Sequence, residues 1–434
     1  MKLYSTNNKN NVVDLKEAVM NSLPADKGLY MPVEIPRLPE SFFKDIENHT
    51  FSELSFVVAQ KLIGDYIPAE TLKEIVEDAI DFPAPVVMIE EHIGTLELFH
   101  GPSLAFKDFG ARFMSRLMAY FNKDEDRLLT ILVATSGDTG GAVAAGFYDT
   151  PGIEVVILYP KGKVSNLQEK QLTTLGKNIT ACEIDGTFDD CQAMVKHAFL
   201  DADLKNDYHL SSANSINIAR LIPQTFYYFE AYRQLVSQHK DIVFSVPSGN
   251  FGNLTAGLMA KRMGLPIHKF IAATNINKVV PDYLESGTYH PQPSIATISN
   301  AMDVGSPSNF SRMMDLYNDD LNEIKKDVVG LYYTDDQTRM AMKEVYSNRG
   351  YICDPHGAIG YVALKDFLRN HKNALGVFLE TAHPGKFLPT VEGTLQTEIQ
   401  IPESLSSLKD KTKKASAMDN NYESFKSWLL SRKN

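Results

Sequence analysis

The distribution of apolar residues along the chain narrows its fold more than any other feature. Short runs rich in Val, Ile and Leu, at 128–134, 155–159, 242–246, 270–273 and 375–379, alternate with helical patterns through most of the 434 residues. A strand with one wet face alternates apolar and polar positions, whereas a strand covered on both faces is apolar throughout. The runs therefore predict an α/β protein whose mostly parallel sheets are covered by helices. Most of them lead into turns of glycine, proline or small polar residues, and in open α/β sheets ligands collect at the carboxyl ends of the strands.

Residues 1–80 follow a different pattern, with a helix over 14–22, a Gly28-Leu29-Tyr30-Met31-Pro32 turn and helices around 51–63 and 69–79. They predict a mainly helical accessory lobe. The core is expected over 81–396, with a mobile small lobe at roughly 110–210 inside it. Residues 397–434 are expected to be a polar tail that ends in a docked helix carrying Tyr422, Phe425, Trp428 and Leu429 on one face.

Charge and cysteine usage exclude several classes of function. With 54 acidic against 43 basic residues the net charge is -11, which argues against nucleic acid or an anionic membrane as partner. Cys182, Cys191 and Cys353 show neither CxxC spacing nor a histidine pair, so no metal site or disulfide framework is expected. No apolar run approaches membrane-spanning length and the N-terminus lacks a signal-type apolar region, so a cytoplasmic location is expected. The expected partner is a small molecule, bound by a monomer or homodimer.

Chemistry concentrates in the turns. Lys107 lies in HGPSLAFKDFG, residues 100–110, just before a helix in which Phe109, Phe113, Met114, Leu117, Met118 and Phe121 share a face. The positive end of a helix dipole and partial burial both disfavour an ammonium, leaving a free amine able to attack a carbonyl. Gly249, Asn250, Phe251, Gly252 and Asn253 follow an apolar run and open a helix, an arrangement that cradles a phosphate. Without the GK[ST] of a nucleotide loop, the phosphate expected is that of a small cofactor.

A second loop, TSGDTGG at 135–141, places Ser136 and Thr139 at another helix start, suited to a carboxylate. A third, at 211–220, offers Ser215, Asn217 and Arg220 to a second anion, with Lys161 and Lys163 as further cations. Thr381, in ETAHPGK, could bond a pyridine nitrogen without forcing its protonation, and His100 and His383 lack metal spacing. Taken singly, each loop is also explained as a turn and a helix cap.

Together LELFHGPSLAFKDFGARF, ATSGDTGGAVA, LYPKGKVSNLQEKQL, SSANSINIARLIPQ, SVPSGNFGNLTAGL, FIAATNINKVVPDYL, SNAMDVGSPSNF and ETAHPGKF resemble the bacterial threonine synthases, in order and over nearly the whole chain. The resemblance implies a pyridoxal 5'-phosphate enzyme of fold type II, with two open, twisted, mostly parallel sheets. It implies that Lys107 holds the cofactor as a Schiff base, that Gly249 to Asn253 bind its phosphate and that Thr381 faces the pyridine nitrogen. In the wider superfamily the second loop usually carries Asn toward the cofactor's 3-oxygen; here Asp138 stands there, and the partner of that oxygen stays open.

The implied reaction converts O-phospho-L-homoserine and water to L-threonine and phosphate, the last step of threonine biosynthesis. Lys107 would shuttle protons at Cα, Ser136 and Thr139 would grip the substrate carboxylate, and Ser215, Asn217 and Arg220 its phosphate, with Lys161 or Lys163 as alternates. Two other readings remain at this point. A serine or threonine dehydratase or a cysteine synthase shares the fold but needs no site for a second phosphate. A non-catalytic binding protein that kept the fold would not need Lys107 together with all the loops.

Overall fold

The computed structural model describes residues 1–125 and 127–432, which form three sheets. Strands β1 (Lys2–Ser5), β2 (Asn8–Asp14) and β3 (Tyr30–Pro32) make a small antiparallel sheet in the order β2-β1-β3. A six-stranded sheet contains β4 (Val86–Glu90), β5 (Ile93–Glu97), β10 (Ile242–Pro247), β11 (Ile267–Thr274), β12 (Val328–Tyr332) and β13 (Leu375–Glu380). Its order is β12-β11-β10-β13-β5-β4, parallel except for β4. The third sheet contains β6 (Leu129–Ala134), β7 (Ile153–Pro160), β8 (Ile179–Asp185), β9 (His209–Ser212) and β14 (Ser416–Asp419). All its pairings are parallel, in the order β14-β8-β7-β6-β9.

The physical reason for the apolar runs is visible in their burial. Strands β6, β10 and β13 are buried at every position, as expected where helices cover both faces. Helix Lys107–Asn122 buries Phe109, Phe113, Met114, Leu117 and Met118 completely and Phe121 nearly so. Each such side chain contributes about 1.5–3 kcal/mol of burial.

Two features of the organisation are absent from the apolar pattern. The N-terminal lobe has the helices Leu15–Asn21, Phe51–Ile63 and Ala69–Ala79, but also the antiparallel sheet β1 to β3. Strand β2, NKNNVVD, buries only Val13, so it carries almost no apolar signal. Nor is residue 80 a packing boundary, because Leu54 and Val58 share one core with Phe109 and Phe113.

The C-terminal segment is not a free tail. Strand β14 pairs with β8, and helix Tyr422–Ser431 packs Phe425 and Leu429 against Cys182, Met194 and Val195, so both belong to the small lobe. On the way, Leu405 and Leu408 pack on Leu104, beside the Lys107 loop. Residues 433 and 434 of the expected tail lie outside the described residues.

Candidate active site

Parallel pairing sends the loops that matter to common edges. In the large sheet β10, β13 and β5 are neighbours, so the turns after Pro247, Glu380 and Glu97 leave from one edge. In the small sheet β7, β6 and β9 are neighbours, so the turns after Pro160, Ala134 and Ser212 do the same. The two sets meet. Lys107 Nζ lies 3.8 Å from Asp138 Oδ2, Lys386 Nζ lies 2.8 Å from Asp138 Oδ1, and Asn250 Nδ2 donates to Ser215 Oγ at 2.6 Å.

Lys107 is the first residue of its helix and is fixed by the chain before it. Leu104 takes a left-handed φ of 57°, Ala105 bridges to Ala382, and Phe106 N–H donates to Thr381 O at 2.8 Å. Lys107 is thereby held beside Thr381, whose side chain is 6% exposed and has no hydrogen-bond partner among the described residues. The Lys107 side chain is 16% exposed. Burial lowers its pKa to about 8, with Lys386 and Arg220 adding repulsion and Asp138 opposing.

Asp138 is buried and is contacted from both lobes. Its Oδ1 accepts from Gln168 Nε2 at 2.9 Å as well as facing Lys386. Burial favours the neutral acid, but the charges of Lys386 and Lys107 and the bonds from Lys386 and Gln168 outweigh it and hold the carboxyl well below the usual range. Lys386 is wholly buried and also donates to Ser103 O at 2.8 Å. Neither Lys386 nor Gln168 stands out in sequence. Ser165-x-x-Gln168 is legible as a capping box, which it is, but the second use of the Gln168 amide is tertiary.

The 249–253 turn has the features of an anion cradle. A Cβ at Gly249 would lie 2.7 Å from Ala301 O and 2.8 Å from Met302 Cα, so only glycine fits there. Phe251 adopts a φ of 60° and caps helix Gly252–Arg262. Among the described residues, the backbone N–H groups of 249–253 have no protein acceptor. They form an unpaired donor set at a helix N-terminus, which suits a phosphate.

The two asparagines serve the loop itself. Asn253 accepts from Ser248 Oγ at 2.8 Å and from Leu254 N–H at 3.0 Å, and it donates to Pro247 O at 2.9 Å. Asn250 bonds Ser215 and accepts from Ser308 N–H at 2.5 Å. Their side-chain amides therefore shape the cradle.

The other expected residues divide. Ser136 and Thr139 are partly exposed at the start of helix Asp138–Phe147, without side-chain partners among the described residues, and Thr135 Oγ1 ties the turn by accepting from Gly137 and Gly140 N–H. Arg220 is buried, donates to Ala213 O and keeps Nε, which has no partner among the described residues, against Gly110. Asn217 is turned away, donating to Val19 O and Ser22 Oγ, each at 2.8 Å, and accepting from Ala219 N–H. Lys161 and Lys163 are exposed.

Sequence reasoning also missed Arg312. Fully buried, it donates to Tyr30 O, Ser215 O, Ile216 O and Asn309 Oδ1 and so anchors the Ser215 turn. Among the described residues no His, Cys, Asp and Glu group is arranged to hold a metal, and no helix is long and apolar enough to cross a membrane.

A buried amine and an unpaired donor set stand on turns that leave the carboxyl ends of neighbouring strands, and a family model for pyridoxal-phosphate dependent enzymes matches residues 95–377. The class is therefore that of the pyridoxal-phosphate dependent enzymes, here with fold type II architecture. Models of the threonine synthase N terminus and C-terminal region match residues 2–80 and 357–428. Threonine synthase of Haemophilus influenzae is 46% identical, covering 99% of this chain and 100% of that protein. The crystal structure of threonine synthase from Escherichia coli is similar with a TM-score of 0.93 at 44% identity, covering 100% of both chains. A structure of PLP-bound threonine synthase from Brucella melitensis gives 0.93 at 34% identity, covering 99% of both. The chain belongs to the threonine synthase family.

Proposed function

We propose that this chain makes L-threonine and phosphate from O-phospho-L-homoserine and water, with Lys107 as cofactor lysine and proton carrier. The observation that carries the reading is the desolvated Lys107 amine, held beside Thr381 and Asp138 at the meeting of two sheet edges. The residues fit pyridoxal 5'-phosphate: the unpaired N–H groups of Gly249 to Asn253 would take its phosphate and the Thr381 hydroxyl its ring nitrogen. When bound, the cofactor supplies a ring that accepts the electron pair left on Cα when its proton departs.

The protein's own groups do the rest. Lys107 Nζ takes the Cα proton and later returns one, and its lowered pKa keeps a useful share of free amine near neutral pH. A second proton leaves Cβ, the Cγ–O bond breaks and phosphate departs. Water supplies the hydroxyl that ends on Cβ, and Cγ regains hydrogen as a methyl group. Ser136, Thr139 and the start of helix Asp138–Phe147 would take the substrate carboxylate. Arg220, whose Nε has no partner among the described residues, is a better candidate than Asn217 to balance the leaving phosphate, because the Asn217 amide is already fully engaged.

Closure of the small lobe would exclude water from the reacting carbons. Asp138 and Gln171 of that lobe already bridge to Lys386 and Ser103 of the large one, which supports such closure. The three cysteines are free and buried, which fits work in a reducing cytoplasm.

The test is incubation with O-phosphohomoserine while phosphate and threonine are followed in parallel. Equal release of both is expected. Phosphate without threonine would instead mean elimination to a keto acid, and release of neither would remove the assignment.

A further inference from the structure

Lys107 and Lys386 share one carboxylate, but unequally. Asp138 Oδ1 is 2.8 Å from Lys386 Nζ, while Oδ2 is 3.8 Å from Lys107 Nζ, outside hydrogen-bond range. The Lys386 side chain has no exposed surface, and besides Asp138 its amine bonds, among the described residues, only Ser103 O, a neutral acceptor. Among the described residues, the only carboxylate in ion-pair contact with either amine is therefore spent chiefly on Lys386.

The consequence for Lys107 is electrostatic. A buried lysine with a dedicated carboxylate stays an ammonium and cannot attack a carbonyl or accept a proton. We propose that Lys386 is a positioning residue that draws the Asp138 carboxylate to itself and leaves the Lys107 amine without a counter-ion of its own. This rests on the reading of Lys107 as the cofactor lysine.

The charges around Lys107 come from several elements. Asp138 lies on the small-lobe helix and Lys386 in the turn after β13, while Arg220 follows β9 and Asp354 caps helix Pro355–Leu368. Lys386 and Arg220 repel the ammonium, and Asp138 and Asp354 attract it. Removing Lys386 alone hands Asp138 to Lys107. Removing the Asp138 charge alone leaves an unpaired cation nearby. Removing both charges cancels the two effects.

The experiment is capture of added pyridoxal 5'-phosphate by the full-length apoenzyme as a function of pH, read from the absorption of the Schiff base. In the unaltered protein capture should fall away as pH drops through about 8, where Lys107 gains its proton. Lys386→Met should move that midpoint up, and Asp138→Asn should move it down, each by about one unit or more. Asp138→Asn combined with Lys386→Met should return it toward the starting value.

That return is a signature that mere structural damage would not give. If Lys386→Met does not fold, the downward shift of Asp138→Asn and its reversal in the double variant still decide. A midpoint that stays fixed in the folded variants, or shifts that do not cancel, would overturn the inference while leaving the cofactor reading intact. Absence of capture by the unaltered protein would overturn both.

Discussion

Lys107→Ala is expected to lower kcat for threonine formation by about 10²–10⁴-fold through lost proton transfer alone. Loss of the covalent attachment adds to this. The fold should survive the change. The Lys107 side chain makes no hydrogen bond among the described residues, the carboxylate near it is already bonded to Lys386 and Gln168, and its ammonium is disfavoured by burial. The denaturation midpoint is therefore expected to stay close to that of the unaltered protein while turnover collapses. Full turnover in Lys107→Ala would eliminate the proposed chemistry.

Arg312→Ala is expected to act the other way, through the fold first. Its guanidinium is buried with no carboxylate beside it among the described residues and survives because Tyr30 O, Ser215 O, Ile216 O and Asn309 Oδ1 accept its hydrogen bonds. Burial alone lowers its pKa to about 9, so it stays charged at neutral pH. Truncation leaves several buried acceptors without donors, at about 1–3 kcal/mol each before relaxation, so a loss of about 3–5 kcal/mol is expected.

The damage should reach the site. Arg312 holds Asn309, and Asn309 donates to Asn250 O at 3.0 Å within the cradle turn. Cofactor affinity should fall along with the midpoint of urea unfolding. Arg312→Lys retains the charge but not the fork that reaches four acceptors, so it should recover only part of the loss. An unchanged unfolding midpoint in Arg312→Ala would contradict this account of the anchor.

What could be read from sequence follows from where the information lies. Strands such as Ile242–Pro247 and Leu375–Glu380 are covered on both faces, so their apolar runs mark them within a residue or two. Helix Phe51–Ile63 was legible because its apolar face and its Thr50–Glu53 capping box are local features. Strands β2 and β14 were not, since one face or both are wet and neither carries an apolar run.

The same division holds in the site. Lys107, the Gly249 to Asn253 turn and the Ser136 turn announce themselves by local motif. Lys386 and Arg312 do not, because their importance is a matter of what other parts of the chain place around them. Lys386 meets residues 138 and 103, and Arg312 meets residues 30, 215 and 216. Asn217 shows the converse: a suggestive motif position whose amide the fold uses to fasten the N-terminal lobe.

Two buried lysines flank Asp138, so the attachment point can be decided chemically. Borohydride reduction of the cofactor-loaded protein, followed by proteolysis and mass measurement of the peptides, should place the phosphopyridoxyl group on the peptide carrying Lys107. The peptide carrying Lys386 should be unmodified. Label on Lys386, or no label on Lys107, would contradict the assignment of Lys107 as the residue that bonds the cofactor.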